Sequence, residues 1–337
     1  MKKTSGARQA LTLSALLTAA LFLLPLVSIV PVRQALFQRQ SPVDETPPPP
    51  FESGAADSGR LLRVLDGETV LEMDLGTYLL GVLRAEMPAS FPEEALKAQA
   101  VAARTYTCYQ LQTGSRHETA DICTDHTCCQ AYLGEEQARQ NWGNEANAYE
   151  EKLRTAVTQT DGEVMLYDSA PILAVFHSAS AGLTRPAGEV WLKDLPYLQA
   201  VESPEKSDSI PNYYSRAEIS AAGLKAKFLA AYPEMDFSGG TDTWLTGAVT
   251  DGAGSVDTLR VGGQVIKGAQ ARSVLGLRSA CFTWEVSGDT FIFYVTGYGH
   301  GVGLSQYGAA SMAEDGADYR EILTHYYHGV EIQNMGT

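Results

Sequence analysis

Four short stretches of this sequence carry side chains whose types and spacing could do chemistry. The first is Ala85-Glu86-Met87-Pro88. Proline disfavours helix at the residue before it, which puts Glu86 near a predicted helix end among apolar sequence neighbours Leu83, Ala85 and Met87. A carboxyl in such surroundings has its charged form disfavoured and can hold a proton near neutrality, as a general acid must. The plain alternative is a solvated glutamate at a helix end. The second stretch is residues 297–309, with Gly297, Gly299, Gly301, Gly303 and Gly308, which would present His300, Ser305 and Gln306. So many glycines mark backbone that needs positive φ or close approach. A phosphate-binding P-loop is excluded, because no Gly-Lys-Ser/Thr follows.

The third stretch sets His177 beside Ser178 and Ser180. It lacks the Gly-x-Ser-x-Gly elbow of a serine hydrolase, so a polar substrate-binding loop is the better reading. The fourth gathers His117, Cys123, Cys128 and Cys129, with His126 between. Clustered Cys and His suit zinc, which takes four such ligands. A disulfide from Cys123 to Cys128 or Cys129 is the competing reading, permitted outside the cytoplasm.

The elements that must position these groups follow from periodicity and caps. Residues 61–75 alternate about an Asp66-Gly67 turn and read as a hairpin, and a helix over 76–85 follows. Ser90 and Glu93 form a capping box for a helix reaching Gln112. Its middle is apolar except for Lys97, Gln99, Arg104 and Thr105, so it is predicted buried, with Lys97 and Arg104 on one face. Helix is predicted over Glu135–Gln159 with a break near Gly143, and strands over Glu163–Tyr167 and Ile172–His177. A second capping box, Ser215 with Glu218, would open a helix to Ala231. From Thr258 to Gly297 the chain is Gly-rich and β-like, and Asp318–Tyr327 is a closing helix. Short strands mixed with segregated helices make the fold α+β.

With 337 residues, 45% of them hydrophobic and 19% charged, the chain can build a sizeable core. It holds 40 acidic and 25 basic residues, net −15, and Lys2, Lys3, Arg8, Arg33 and Arg39 all precede the first acid. The acidic remainder argues against a nucleic-acid binder, which needs a basic footprint. Gln9 to Val32 carries no charge, long enough to span a bilayer, and the preceding lysines orient it. Residues 1–9 are thus a cytoplasmic tail, 10–32 a transmembrane helix, 33–59 a flexible Pro-rich linker around Pro47–Pro50, and 60–337 an extracytoplasmic catalytic domain. A cleaved signal peptide is the alternative; it calls for a shorter apolar region and small residues at a cleavage site.

Several of these stretches, Tyr78–Pro88, Glu94–Tyr106, the His177 loop with Gly182 and Thr184, residues 299–309 and the tail 319–330, closely resemble the stage II sporulation protein D (SpoIID) family of peptidoglycan lytic transglycosylases. The resemblance implies a SpoIID-type domain with a substrate groove, in which Glu86 is the catalytic glutamate. It would protonate the bond between N-acetylmuramic acid and N-acetylglucosamine, then act as base while the muramoyl C6 hydroxyl closes a 1,6-anhydro ring. That chemistry needs one carboxylate, where ordinary glycosidases need two. Lys97, Arg104, His177, Ser178, Ser180, Tyr197, His300, Ser305 and Gln306 are assigned to glycan binding. Some relatives bind zinc in the insertion corresponding to His117, Cys123 and Cys129. Here Cys128 stands where they have histidine, so the fourth ligand is Cys128, with His126 as alternative. The metal would be structural.

The context implied is the mother-cell membrane of an endospore former, facing the forespore during engulfment. The partners implied are peptidoglycan strands, a companion amidase/endopeptidase that strips peptides first, and a recruiting membrane protein. Two other functions compete: a non-catalytic wall-binding amidase enhancer, and a zinc hydrolase using the Cys/His cluster.

Overall fold

The computed structural model describes residues 49–191 and 193–335. The tail and transmembrane helix read at 1–9 and 10–32 lie outside the described residues. Among the described residues no helix is long and apolar enough to cross a membrane. The architecture is mixed α+β, with five small sheets of two or three strands each.

A short helix α1 (Ala55–Ser58) leads into the hairpin β1 (Leu61–Asp66) and β2 (Thr69–Asp74), then α2 (Leu75–Glu86) and α3 (Glu93–Thr113). Strand β3 (Ile122–Cys123) pairs with β1, and α4 (Glu135–Trp142) and α5 (Ala146–Gln159) follow across a 3-10 turn at Gly143–Glu145. Next come β4 (Glu163–Tyr167), β5 (Ala170–Pro171), β6 (Phe176–His177) and α6 (Ala187–Val190). A second group comprises β7 (Tyr214–Ser220), α7 (Ala221–Ala231), β8 (Leu245–Thr250), β9 (Val256–Val261), β10 (Gln264–Lys267), α8 (Gly268–Leu275), β11 (Phe282–Ser287) and β12 (Thr290–Thr296). The chain returns through β13 (Leu304–Ser305), α9 (Gln306–Glu314), α10 (Tyr319–Tyr326) and β14 (Glu331–Asn334).

Two apolar cores result. In the first, α3 packs against α2, α5, β4, α9 and α10, and its Ala95, Ala98, Ala100, Ala102 and Ala103 are fully buried. Small side chains let five elements approach one helix, as its all-round apolar pattern predicts. The second core, Phe228, Phe237, Trp244, Leu259, Phe291 and Phe293 among others, lies wholly within the β7–β12 group. Composition did not reveal this division.

Three local expectations need correction. Pro92, not Ser90, is the N-cap of α3, with no side-chain cap bond. Residues 215 and 218 sit in strand β7, and Ser220 caps α7 by accepting from Gly223 N. Ile172–His177 forms strand only at Phe176–His177, and α9 went unpredicted.

The linker read over 33–59 does not extend to 59, and Arg104, read as a glycan-groove residue, is tied into a buried ion pair. Asp57 of α1 is 1% exposed, as is Arg104. Arg104 donates to both Asp57 oxygens, at 2.8 Å from Nε and 2.7 Å from Nη2, and also to the carbonyls of Val157 and Glu163. An arginine set among apolar helices needs a carboxylate, and the nominal linker supplies it. Removing one member of a buried pair leaves an uncompensated charge. Asp57→Ala should therefore lower stability by about 3 kcal/mol, read as a reduced urea midpoint, and Asp57→Ala with Arg104→Met should recover much of the loss. A wild-type midpoint in the single variant would show that α1 does not seal this core.

Candidate active site

Glu86 is the last residue of α2. The next residue, Met87, is already extended (φ −124°, ψ 134°) because Pro88 follows, and Met87 is buried. The Glu86 side chain is partly buried, and its Oε1 accepts from Ala131 N at 2.9 Å. Gln306 at the start of α9 offers its amide to the same carboxyl. Burial pushes the acid above its ordinary value, and the two hydrogen bonds and distant His126 offset this only in part. Among the described residues Glu86 forms no ion pair. Gln306 Nε2 also lies 3.5 Å from the Oε1 of fully buried Gln99, whose own Nε2 has no partner. The acid thus stands among amides rather than charges.

The glycine-rich stretch and the His177 loop meet beside it. Strand β13 runs parallel to β6, Ala179 bridges Tyr298, and Tyr307 N donates to Ser178 O. Gly303 has φ 69°, and a Cβ there would stand 2.1 Å from Val175 O; a Cβ on Gly299 would press on His177. Only glycine allows this approach. Ser305 caps α9, accepting from Gly308 N and donating to Glu205 Oε1 at 2.7 Å. That same oxygen accepts from Ser180 N and from the hydroxyls of Ser180 and Ser203. Glu205 thereby ties both loops to the cap that aims Gln306 at Glu86.

His177 donates from Nδ1 to Val302 O, and His300 accepts on Nδ1 from Val302 N. Both rings are neutral: burial pushes His177 down to about 4 and His300 to about 3, with Arg272 adding to both and His177 to the second.

The Cys/His cluster is a compact donor set. The ligating atoms of His117, Cys123, Cys128 and Cys129 all lie within 4.8 Å of one another. The Cys128–Cys129 sulfurs are 3.9 Å apart, and His117 Nε2 is 3.7 and 3.5 Å from them. These are free thiols rather than a disulfide, and His126 is exposed, outside the set. A tetrahedral ion with bonds of about 2.3 Å to sulfur needs edges of about 3.8 Å, so the donors fit one. The segment just beyond is locked to α2. Gln130 accepts from Tyr78 and Thr107, Leu133 N donates to Gly81 O, and the Tyr132 ring leaves room at position 81 only for glycine. Ala131, two residues past Cys129, is thereby held against Glu86.

Of the residues assigned to glycan binding, the structure brings Gln306 to Glu86, with Ser305, Ser180, Ser178 and the His177–His300 pair in the adjoining loops. Lys97 is instead held by Glu94, whose other oxygen caps Tyr319 N. Tyr197 is a core residue, packing on Tyr167 and accepting from Leu173 N. Ala131, Gln99 and Glu205 were missed. A backbone N–H carries no sequence signal, although Gln99 was visible as an unexplained polar residue on a buried helix.

The raised Glu86 acid has a stability signature. In the window above 4.5 the folded chain keeps a proton that the unfolded chain has released, so stability falls as pH rises through it. Glu86→Gln should therefore gain in melting temperature relative to wild type between pH 4 and 8, with the two converging at pH 4. Parallel pH responses would mean a solvated carboxylate.

The sequence pattern of the SpoIID family, described as stage II sporulation protein, matches residues 66–167. The chain is 36% identical to stage II sporulation protein D of Bacillus amyloliquefaciens over 266 residues, 78% of this chain and 75% of that one. It is also 36% identical to stage II sporulation protein D of Bacillus subtilis (strain 168) over 267 residues, 79% of this chain and 76% of that one. Against an amidase enhancer of Bacillus subtilis (strain 168) it is 31% identical over 305 residues, 75% of this chain and 40% of that one. With matches of this length and identity, the chain belongs to the stage II sporulation protein D family.

Proposed function

We propose that this protein is a peptidoglycan lytic transglycosylase acting in sporulation, with Glu86 as its general acid and base. The observation that carries the reading is a carboxyl raised by burial and bonded by the backbone N–H of Ala131, with the neutral Gln306 amide beside it. A nearby cation would hold it ionised and unable to donate. In the reaction Glu86 gives its proton to the glycosidic oxygen as the bond to the muramoyl anomeric carbon breaks. The C6 hydroxyl of the same sugar bonds to that carbon, and its proton returns to the carboxylate. One side chain is acid, then base, and no water is consumed. Gln306 would orient the acid toward the sugar, and fully buried Gln99 would support the Gln306 amide from within the core.

The Cys/His cluster would hold a structural zinc. When bound, the ion supplies a rigid crosslink through His117, Cys123, Cys128 and Cys129, leaving no open position for catalysis. Its consequence for the acid is the placement of Ala131. The location proposed is a membrane anchored through residues 10–32 and facing the wall, with a peptide-stripping amidase and a recruiting membrane protein as partners. Similarity to an amidase enhancer keeps a non-catalytic wall-binding role as the second reading.

Glu86→Gln should lower release of 1,6-anhydro products from peptide-stripped peptidoglycan about a thousandfold, the scale of a general acid's contribution, measured by mass spectrometry. Wild-type protein that binds strands, yields no anhydro product and stimulates an amidase would establish the second reading. Elemental analysis should find one zinc per chain, lost with two or more of the four ligands changed to Ser. Three unmodified thiols at Cys123, Cys128 and Cys129 with no metal would remove the zinc assignment.

A further inference from the structure

Two arginines beside the glycine-rich loop, Arg272 and Arg278, have no carboxylate partner among the described residues. Arg278 lies with its guanidinium carbon 3.9 Å from the Tyr298 ring centre, and its Nε is buried without a partner. Its carbonyl accepts from Arg272 Nε at 3.1 Å and from Gly299 N. No carboxylate lies within ion-pair reach of Arg272 or Arg278 among the described residues. Arg185 packs along Gly301 and is 3% exposed; Asp251 takes its Nε at 3.0 Å, while Nη1 and Nη2 are buried and unpartnered. Glu189, near in sequence to Trp191, pairs with none of the three. In a chain of net charge −15, two arginines without carboxylate partners at the end of α8, Arg272 and Arg278, call for an anion from outside.

A second feature narrows the ligand. His177 spends its Nδ1 proton on Val302 O, so in the neutral ring Nε2 is a bare lone pair, and it is buried with no partner. A buried acceptor of that kind needs a hydroxyl. His177 touches Gly299, whose N–H bonds Arg278, and its ring centre is 5.5 Å from that of His300, which in turn faces the half-exposed Trp191 at 5.3 Å. A carboxylate, a hydroxyl and an apolar ring face presented together describe an acidic sugar.

We propose that Arg272, Arg278 and His177 form a subsite for a carboxylate-bearing sugar unit of the glycan, the arginines taking the carboxylate and His177 Nε2 a hydroxyl proton, with Trp191 beside the ring. This rests on the glycan reading above and deepens it. The patch joins the acid through Tyr307, which follows Gln306, packs on Phe91 and feels the Arg278 charge. A muramic acid residue whose lactyl carboxyl is free would fill it, and one whose carboxyl is blocked as an amide would not.

The test uses the full-length Glu86→Gln protein, so that binding is read without turnover. Three probes of equal length are compared: peptide-stripped strands with free lactyl carboxylates, the same strands converted to methylamides, and chitin oligomers. The free-carboxylate strands should bind roughly ten- to a hundredfold tighter than the other two, the range for hydrogen bonds to a charged group. Added Arg272→Gln should collapse that ratio toward one while leaving chitin binding unchanged, and Arg272→Lys should restore part of it. Equal affinity for carboxylate and methylamide strands would overturn the subsite and leave the glycan reading standing. Failure to bind any of the three would overturn both. Displacement of the strands by inorganic phosphate at lower concentration than by lactate would assign the patch to phosphate and likewise overturn the proposal.

Discussion

The hydrogen bond from Ala131 N to the Glu86 carboxyl is the contact around which the rest of the structure is arranged. A buried carboxyl is costly to ionise and useful only if its proton sits at a fixed point. The backbone N–H fixes the point without bringing a charge. Holding Ala131 there requires the 128–133 segment to lie flat on α2, which explains the bare backbone of Gly81 under Tyr132 and the anchoring of Gln130 by Tyr78 and Thr107. The Cys/His cluster closes the other end of the segment. Elements remote from Glu86 in sequence are thereby made part of the acid's environment.

The second constraint is the approach of two loops. β6 and β13 share only two residue pairs, too few to define a register on their own. Glu205 supplies what the ladder lacks: one carboxylate oxygen gathers donors from Ser180, Ser203 and Ser305. Ser305 also caps α9, so the loops, the cap and Gln306 move as one body. Charge is spent here on rigidity, whereas at Glu86 it is withheld.

Much of this was legible from residue types. Pro88 fixed the end of α2, alternation about Asp66-Gly67 gave the hairpin, and the alanines of α3 announced a buried crossing helix. The closing helix was also plain, since Asp318 and Glu321 form a true capping box. Misreadings share one cause. Ser90, Ser215 and their glutamates have the spacing of capping boxes, yet spacing cannot tell a cap from a strand residue whose side chain faces solvent. Arg104 was assigned to ligand by family resemblance, and its partner Asp57 sits 47 residues away, in a stretch whose composition reads as a tether. Long-range pairing of this kind leaves no local trace.

Arg84 sharpens the point about charge. It lies two residues before Glu86 on α2, a spacing that sends the two side chains to different faces of the helix. Its guanidinium is instead committed to fully buried Glu150, at 3.0 and 2.6 Å, and to Glu135. Burial raises Glu150, but the hydrogen bonds and charges of Arg84 and Arg154 outweigh it and keep that acid ionised. Two glutamates on neighbouring helices are thus shifted in opposite directions. Glu150 is pushed toward the charged form by Arg84 and Arg154, and Glu86 toward the neutral form because burial outweighs its hydrogen bonds and His126. The same residue type does structural and acidic work within one core, and the difference lies in which of them Arg84 touches.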